Sequence, residues 1–158
     1  MRFNRTIRVP LVLNSGADFA VTLTAYGQYD IVGGLSKFFY GTGGGAWLLG
    51  LEVRDDNVQS EAYLAHIYKS STGLTVIADA ATAAFDAADA DLEIGLVTIN
   101  AGDYVTATGS AYSKAYVPCS VKIDESSNGV CYVYLECTAT PDYAAVGDLA
   151  IQGVFWIE

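Results

Sequence analysis

Charge is scarce in this chain. Only 16% of its 158 residues are Asp, Glu, Lys or Arg, against about 25% in ordinary soluble domains. Apolar residues make up 52%. A lone molecule with so few charges struggles to cover itself in polar groups, so part of its surface is expected to be buried against neighbours. Positive charge is scarcer still: eight basic side chains stand against eighteen acidic ones, for a net charge of −10. That balance makes phosphate neutralisation implausible, and no nucleic acid is expected as a direct partner. No run approaches the roughly eighteen apolar residues of a membrane-crossing helix. The apolar stretch Val9 to Leu13 is too short for the core of a signal peptide. Neither membrane nor secretion is expected.

Motifs that carry chemistry are missing too. His66 is the sole histidine, and no Ser or Cys nucleophile accompanies it in a recognisable motif, so it reads as a structural strand residue. No pair of carboxylates is marked for acid–base work. The run Gly41-Thr42-Gly43-Gly44-Gly45 lacks the Lys-Ser/Thr of a phosphate loop and precedes a strand, so it reads as a flexible loop. Asp86, Asp89 and Asp91 are hard oxygen ligands without EF-hand spacing, and read as caps and turn residues. No enzyme, metal or cofactor is expected.

Three cysteines are present, Cys119, Cys131 and Cys137. All share the phase of apolar neighbours, which makes them small buried hydrophobes. Six residues of strand would hold Cys131 and Cys137 about 20 Å apart, beyond the roughly 7 Å limit for a disulfide. A bridge from Cys119 requires its strand to neighbour another cysteine's. Free thiols are favoured, in keeping with a reducing cytoplasm.

What the chain does have is strand periodicity. The stretch from Ala46 to Lys69 reads as strand, polar turn, strand, with Trp47, Leu49, Leu51 and Val53 on one side of the first run and Tyr63, Ala65 and Ile67 on one side of the second. Arg54-Asp55-Asp56-Asn57 supplies the turn. Further strands are predicted at 6–13, with Pro10 driving it to a sheet edge; at Asp18–Tyr26, with Phe19, Val21, Leu23 and Ala25 in phase; and at Asp30–Tyr40, broken at Gly33-Gly34 by a bulge or a close backbone approach. Later ones fall at Leu74–Ile77, Glu93–Ile99, Tyr104–Thr108, Ala111–Ile123, Val130–Thr140 and Gly147–Glu158. DESSNG (124–129) reads as a hairpin turn. One segment, Asp79 to Leu92, is helix-like, with Asp86 as N-cap and Asp89 in the first turn. The expected fold is all-β, a two-sheet β-sandwich of which a jelly roll is one form, with one short helical segment in a connection. Residues 1–16 form an N-terminal arm or edge strand, and residues 17–158 the sandwich.

Several strands are apolar on both faces. Opposite the inward set of 130–138 stand Tyr132 and Tyr134. Trp156 stands opposite Leu149 and Ile151, and Leu64, His66 and Tyr68 oppose the inward set of 63–67. Three uses are open: cover by the chain's own loops or helical segment, a subunit interface rich in Tyr and Trp, or stacking on sugar rings. Arg2, Arg5 and Arg8 form either a solvated basic arm or one that docks on the acidic body of an adjacent subunit.

The succession Tyr29-Asp30-Ile31-Val32-Gly33-Gly34-Leu35 and then LEVRDDNVQSEAYLAHIY (51–68) resembles a family of small structural proteins of tailed bacteriophages. There, a GD-V-V/I-G-G-L element precedes a V-x-L-x-D-K strand and a Q-x-A-x-L-x-L-H-L-F strand. ATAAFDAADADLEIGLVTI (81–99) is similar to that family's N-A-A-F-x-x-x-D-A-D-L…G-V-I stretch. LECTATPDYAAVGDLAIQGVFWIE (135–158) is similar to its ending. The likeness covers about residues 26–158; Ala65, the rich glycine loop and the cysteines depart from it. It implies a virion component, either a capsid decoration or cement protein or a head-fibre subunit, assembled in the host cytoplasm. The implied partners are its own copies, with a trimer as the expected order, and the major capsid protein or another virion protein. The family has no catalytic motif to carry over. The rival expectation is a glycan- or receptor-binding module displayed on a particle, stacking on Tyr132, Tyr134 or Trp156.

Overall fold

Alternation of apolar and polar side chains builds ten strands among the described residues, because successive strand residues point to opposite faces and only one face can meet a core. The computed structural model describes residues 5–41 and 44–158. In chain order the strands are β1 (Arg5–Pro10), β2 (Val12–Leu13), β3 (Ile31–Phe39), β4 (Ala46–Asp55), β5 (Tyr63–Tyr68), β6 (Glu93–Ile99), β7 (Tyr104–Val105), β8 (Ser113–Ile123), β9 (Val130–Cys137) and β10 (Leu149–Ile157). An α-helix, α1 (Ala87–Leu92), precedes β6. The protein is an all-β, two-sheet sandwich. Sheet A has the order β1-β10-β4-β8-β7 and sheet B the order β2-β3-β9-β5-β6, and every pairing is antiparallel.

The pairings are nested. The first strand lies against the last, β3 against β9, β4 against β8 and β5 against β6, as though one long hairpin had been rolled up. Most connections therefore cross from one sheet to the other. DESSNG is one of them: its Asn128 and Gly129 take the positive φ values of a tight turn (53° and 79°), but it joins β8 in sheet A to β9 in sheet B and makes no hairpin. Turn chemistry marks where a chain reverses and is silent on which strand it meets next.

Between the sheets lies one core. Leu48, Leu51, Val53, Ala115, Val121, Ile151 and Phe155 enter it from sheet A, and Val32, Phe38, Tyr63, Ala65, Ile67, Val97, Ile99, Val133 and Leu135 from sheet B. Cys131 and Cys137 are buried in it, and all three cysteines are free thiols.

Two predicted strands are absent. Asp18–Tyr26 is irregular: its amides find scattered partners, Val21 N–H donating to Val146 O (3.1 Å) and Tyr26 N–H to Pro141 O (2.9 Å). Phe19 and Val21 are buried, whereas Leu23 is 58% exposed. Leu74–Ile77 likewise joins no sheet: Leu74 N–H donates to Ser71 O (3.3 Å), Thr75 N–H to Asp89 and Ile77 N–H to the Tyr134 hydroxyl.

The phase of β4 also differs from the sequence reading. Ala46 and Leu48 point inward, then Leu51 and Val53 do. The slip falls at Leu49-Gly50, where the registers with β10 and β8 both shift. Trp47 is thereby turned to the outer face, a correction to its expected inward place.

Candidate functional site

A sandwich has two outer faces, and they differ sharply here. On sheet B the outward residues of β5 and β9 are Leu64, His66, Tyr68, Tyr132, Tyr134 and Glu136, paired across the strands as Leu64–Glu136, His66–Tyr134 and Tyr68–Tyr132. The chain between β5 and β6, residues 69–92, folds back over them. Leu74, Ile77, Ala81, Ala83, Phe85 and Leu92 pack with Ile31, Tyr68 and Tyr134 into a second apolar cluster. Tyr68 and Tyr134 are each 1% exposed, so the structure removes both from the residues available to a partner or a sugar. Tyr132 and Leu64 are half-buried, Tyr132 at the margin of the same cluster. The reason is sterically simple: two tyrosines in register offer a broad plane that this long connection can reach and cover.

Three polar rivets hold the cover down. The Tyr134 hydroxyl donates to Thr75 O (2.9 Å) and accepts from Ile77 N–H (3.2 Å). Asp79 Oδ1 accepts from the Tyr26 hydroxyl (2.8 Å) and from Gly33 N–H (2.7 Å), in the bulge of β3. Asp89, buried, accepts from Thr75 N–H (2.7 Å) and Asp86 N–H (2.8 Å). Asp86 in turn accepts from Ala88 and Asp89 N–H, completing a capping box at the start of α1. Asp86 as N-cap and Asp89 in the first turn are the roles the sequence predicted. Burial alone would raise the Asp89 carboxyl, but the amides of Thr75 and Asp86 outweigh it and hold the group below the usual carboxylate range. Burial pushes the Tyr68 and Tyr134 hydroxyls up.

His66 sits under this cover. Its Nδ1 lies 2.8 Å from Glu93 Oε1 and its Nε2 2.8 Å from Glu136 Oε2, with the Phe85 ring 4.6 Å above it. Both contacts are hydrogen bonds only if the trio holds one proton beyond a neutral imidazole and two carboxylates. The arrangement staples β6, β5 and β9 together beneath Phe85. It has no nucleophile, and among the described residues no group of three or more His, Cys, Asp or Glu is placed to hold a metal ion.

Sheet A presents the opposite picture. No element of the described chain lies over its outer face, where Arg8, Pro10, Gln152, Arg54, Lys114, Tyr116, Pro118 and Lys122 are all exposed. Trp156 pairs with Trp47 in register, and both indoles are half-buried. The Trp47 N–H donates to Glu158 Oε1 (3.2 Å), so its ring can be desolvated without orphaning a donor. Arg5 and Arg8 belong to β1, hydrogen-bonded to β10; Arg8 Nε donates to both oxygens of Glu52 in its own chain (3.0 and 3.2 Å). Arg5 and Arg8 thus stand on an edge strand of their own sheet. Arg2 lies outside the described residues, as do Thr42 and Gly43 of the glycine loop.

Towards the other end of the same face, a groove of about 510 Å³ runs over β10, β4, β8 and β7, lined by Glu52, Arg54, Asp103, Lys114, Tyr116 and Gln152 among others. Trp47 was missed as an outward residue because strict alternation was assumed across Gly50, although a glycine inside a strand is itself a sign of a bulge. Tyr116 was legible as an outward residue of β8, but its groove was not, since the lining comes from strands distant in sequence. Comparison with protein-family models, curated proteins and solved structures returns no match.

Proposed function

We propose that this chain is a structural protein of a tailed-bacteriophage virion: a capsid decoration or cement subunit, or another head-associated component. It associates with its own copies, three being the expected order, and with the major capsid protein. The observation that carries the reading is the asymmetry of the two outer faces. The chain spends 24 residues (69–92) covering the aromatic face of sheet B, and among the described residues no element covers sheet A, where Trp47 and Trp156 stand side by side. Tryptophan is among the residues most enriched at the energetic centres of interfaces, and apolar surface gains about 25 cal/mol per Å² when water is excluded. Repetition over many symmetric copies accumulates such small gains. The nested pairing of first strand with last supports a jelly-roll reading of the sandwich, a wrap that recurs in viral capsid and lectin domains. Low charge and free thiols fit assembly in a host cytoplasm, and the likeness of residues 26–158 to phage structural proteins points the same way.

Light scattering of the purified chain tests the self-association directly. A defined oligomer is expected, with self-association weakened about tenfold or more, towards monomer, by Trp156→Ala or Trp47→Ala. A monodisperse monomer at high concentration would overturn it. Mass spectrometry of purified particles tests the virion assignment, and absence from intact particles refutes that.

A further inference from the structure

Along the outer face of sheet A the side chains form rows set by strand register. One row is Trp156–Trp47; the second is Val154–Gly50–Pro118; the third is Gln152–Glu52–Tyr116, followed by Ala150–Arg54–Lys114. The tryptophan row and the third row are about 13 Å apart along the strands. They are separate surfaces on one face.

Gly50 and Tyr116 give the third row its character. A Cβ on Gly50 would stand 2.7 Å from the Tyr116 hydroxyl oxygen and 2.8 Å from its ring carbons Cε2 and Cζ. The phenol therefore lies down on the strand in the space that glycine leaves, and stays 52% exposed. A flat aromatic ring is thus held along one wall of the open groove, and the groove's volume falls within the usual range for small-molecule sites, roughly 300–1,000 Å³. Beside the ring stand a carboxylate (Glu52), a guanidinium (Arg54), a carboxamide (Gln152), an ammonium (Lys114) and a second carboxylate (Asp103). The first three are planar forks, each presenting a pair of hydrogen-bonding atoms. Glu52 is already oriented by Arg8.

The charges of this lining balance, two positive against two negative, on a body whose net charge is −10. An anionic ligand is repelled by the body and a cationic one gains nothing local. What matches is an uncharged ligand with one apolar face and several adjacent hydroxyls: the C–H face of a pyranose on the ring, its diols on the forks. We infer that the groove over Gly50 and Tyr116 is a binding site for a neutral saccharide, with Tyr116 as the stacking platform and Glu52, Arg54 and Gln152 as the hydroxyl-reading groups. This site uses none of the aromatic residues that sequence reasoning nominated for sugar stacking, and it does not depend on the virion assignment.

The test is an array of neutral glycans ending in glucose, galactose, mannose or N-acetylhexosamine, with sialylated and sulphated glycans alongside. Hits are followed by saturation-transfer NMR on the intact chain. Binding of a neutral glycan is expected, with saturation strongest on ring C–H protons and affinity lowered about tenfold or more by Tyr116→Ala. Gly50→Ala should act in the same direction while keeping the fold, since the colliding atoms are the free end of one side chain. Gln152→Ala, at an exposed position, serves if either variant misfolds. Retention of no neutral glycan, retention of acidic glycans alone, or binding unaffected by all three substitutions each overturns the inference. Trp156→Ala is expected to leave glycan binding intact, and light scattering of the same samples reports self-association separately.

Discussion

Asp89 shows how much one buried carboxylate decides. It closes the capping box of α1 and, from the same side chain, fastens residue 75 over sheet B. Its pKa in the folded chain lies below the value of about 3.9 that an unfolded aspartate has. The stabilisation it supplies is therefore in place above that value and is lost as pH falls through the depressed folded one. Acidification below about pH 4 is expected to loosen residues 69–92 from sheet B, read as a rise in their hydrogen exchange after correction for intrinsic rates. Asp89→Asn should cost about 1–2 kcal/mol at neutral pH and flatten this acid response. Identical acid responses in the parent and the variant would show that another group carries it.

The bulge in β3 is the element on which the cover depends. Gly33 and Gly34 both have positive φ (73° and 68°), and the register with β9 shifts across them, between Val32 and Ser36. Gly33 offers its N–H to Asp79, and a Cβ there would come 2.7 Å from the Phe19 ring and 3.2 Å from Ala20 O; at Gly34 the nearest atom is 3.5 Å away. Both alanine substitutions pay the left-handed backbone cost, about 1 kcal/mol. Gly33→Ala adds a collision and should destabilise clearly more in urea unfolding; equal losses at the two sites would contradict this packing. The glycine pair was legible as a bulge because it interrupts an apolar run. What it accommodates was not, since Phe19 and Asp79 lie many residues to either side.

Considered whole, the molecule keeps one core dry from both sheets and clads one outer face with its own chain. Cys131 and Cys137 report on that core. Burial raises each thiol to about 12 and that of Cys119 to about 11, and none of the three is in a disulfide. At neutral pH a thiol reagent is expected to leave Cys131 and Cys137 untouched in the native protein and to reach them at the rate of global unfolding. The melting temperature should be unchanged by reductant. Native labelling as fast as that of an unfolded peptide would mean that the sheets separate far more readily than a continuous core allows.

Strand phase in β5, β8 and β9, the edge position of the Pro10 strand, the glycine bulge and the Asp86–Asp89 cap could all be read from the chain alone. Each is settled within a few residues, by alternation, by φ preference or by a side chain bonding its own backbone. Which strands pair could not be read: Arg5 meets Ile157 and Ala46 meets Ile123, and no local pattern encodes a partner so distant. The same holds for the fate of the aromatic faces. Tyr68 and Tyr134 carry the same outward phase as Trp156 and Tyr116, yet a connection covers the first two and, among the described residues, none covers the others. Apolar periodicity tells which side chains share a face; the path of the rest of the chain settles whether water reaches it.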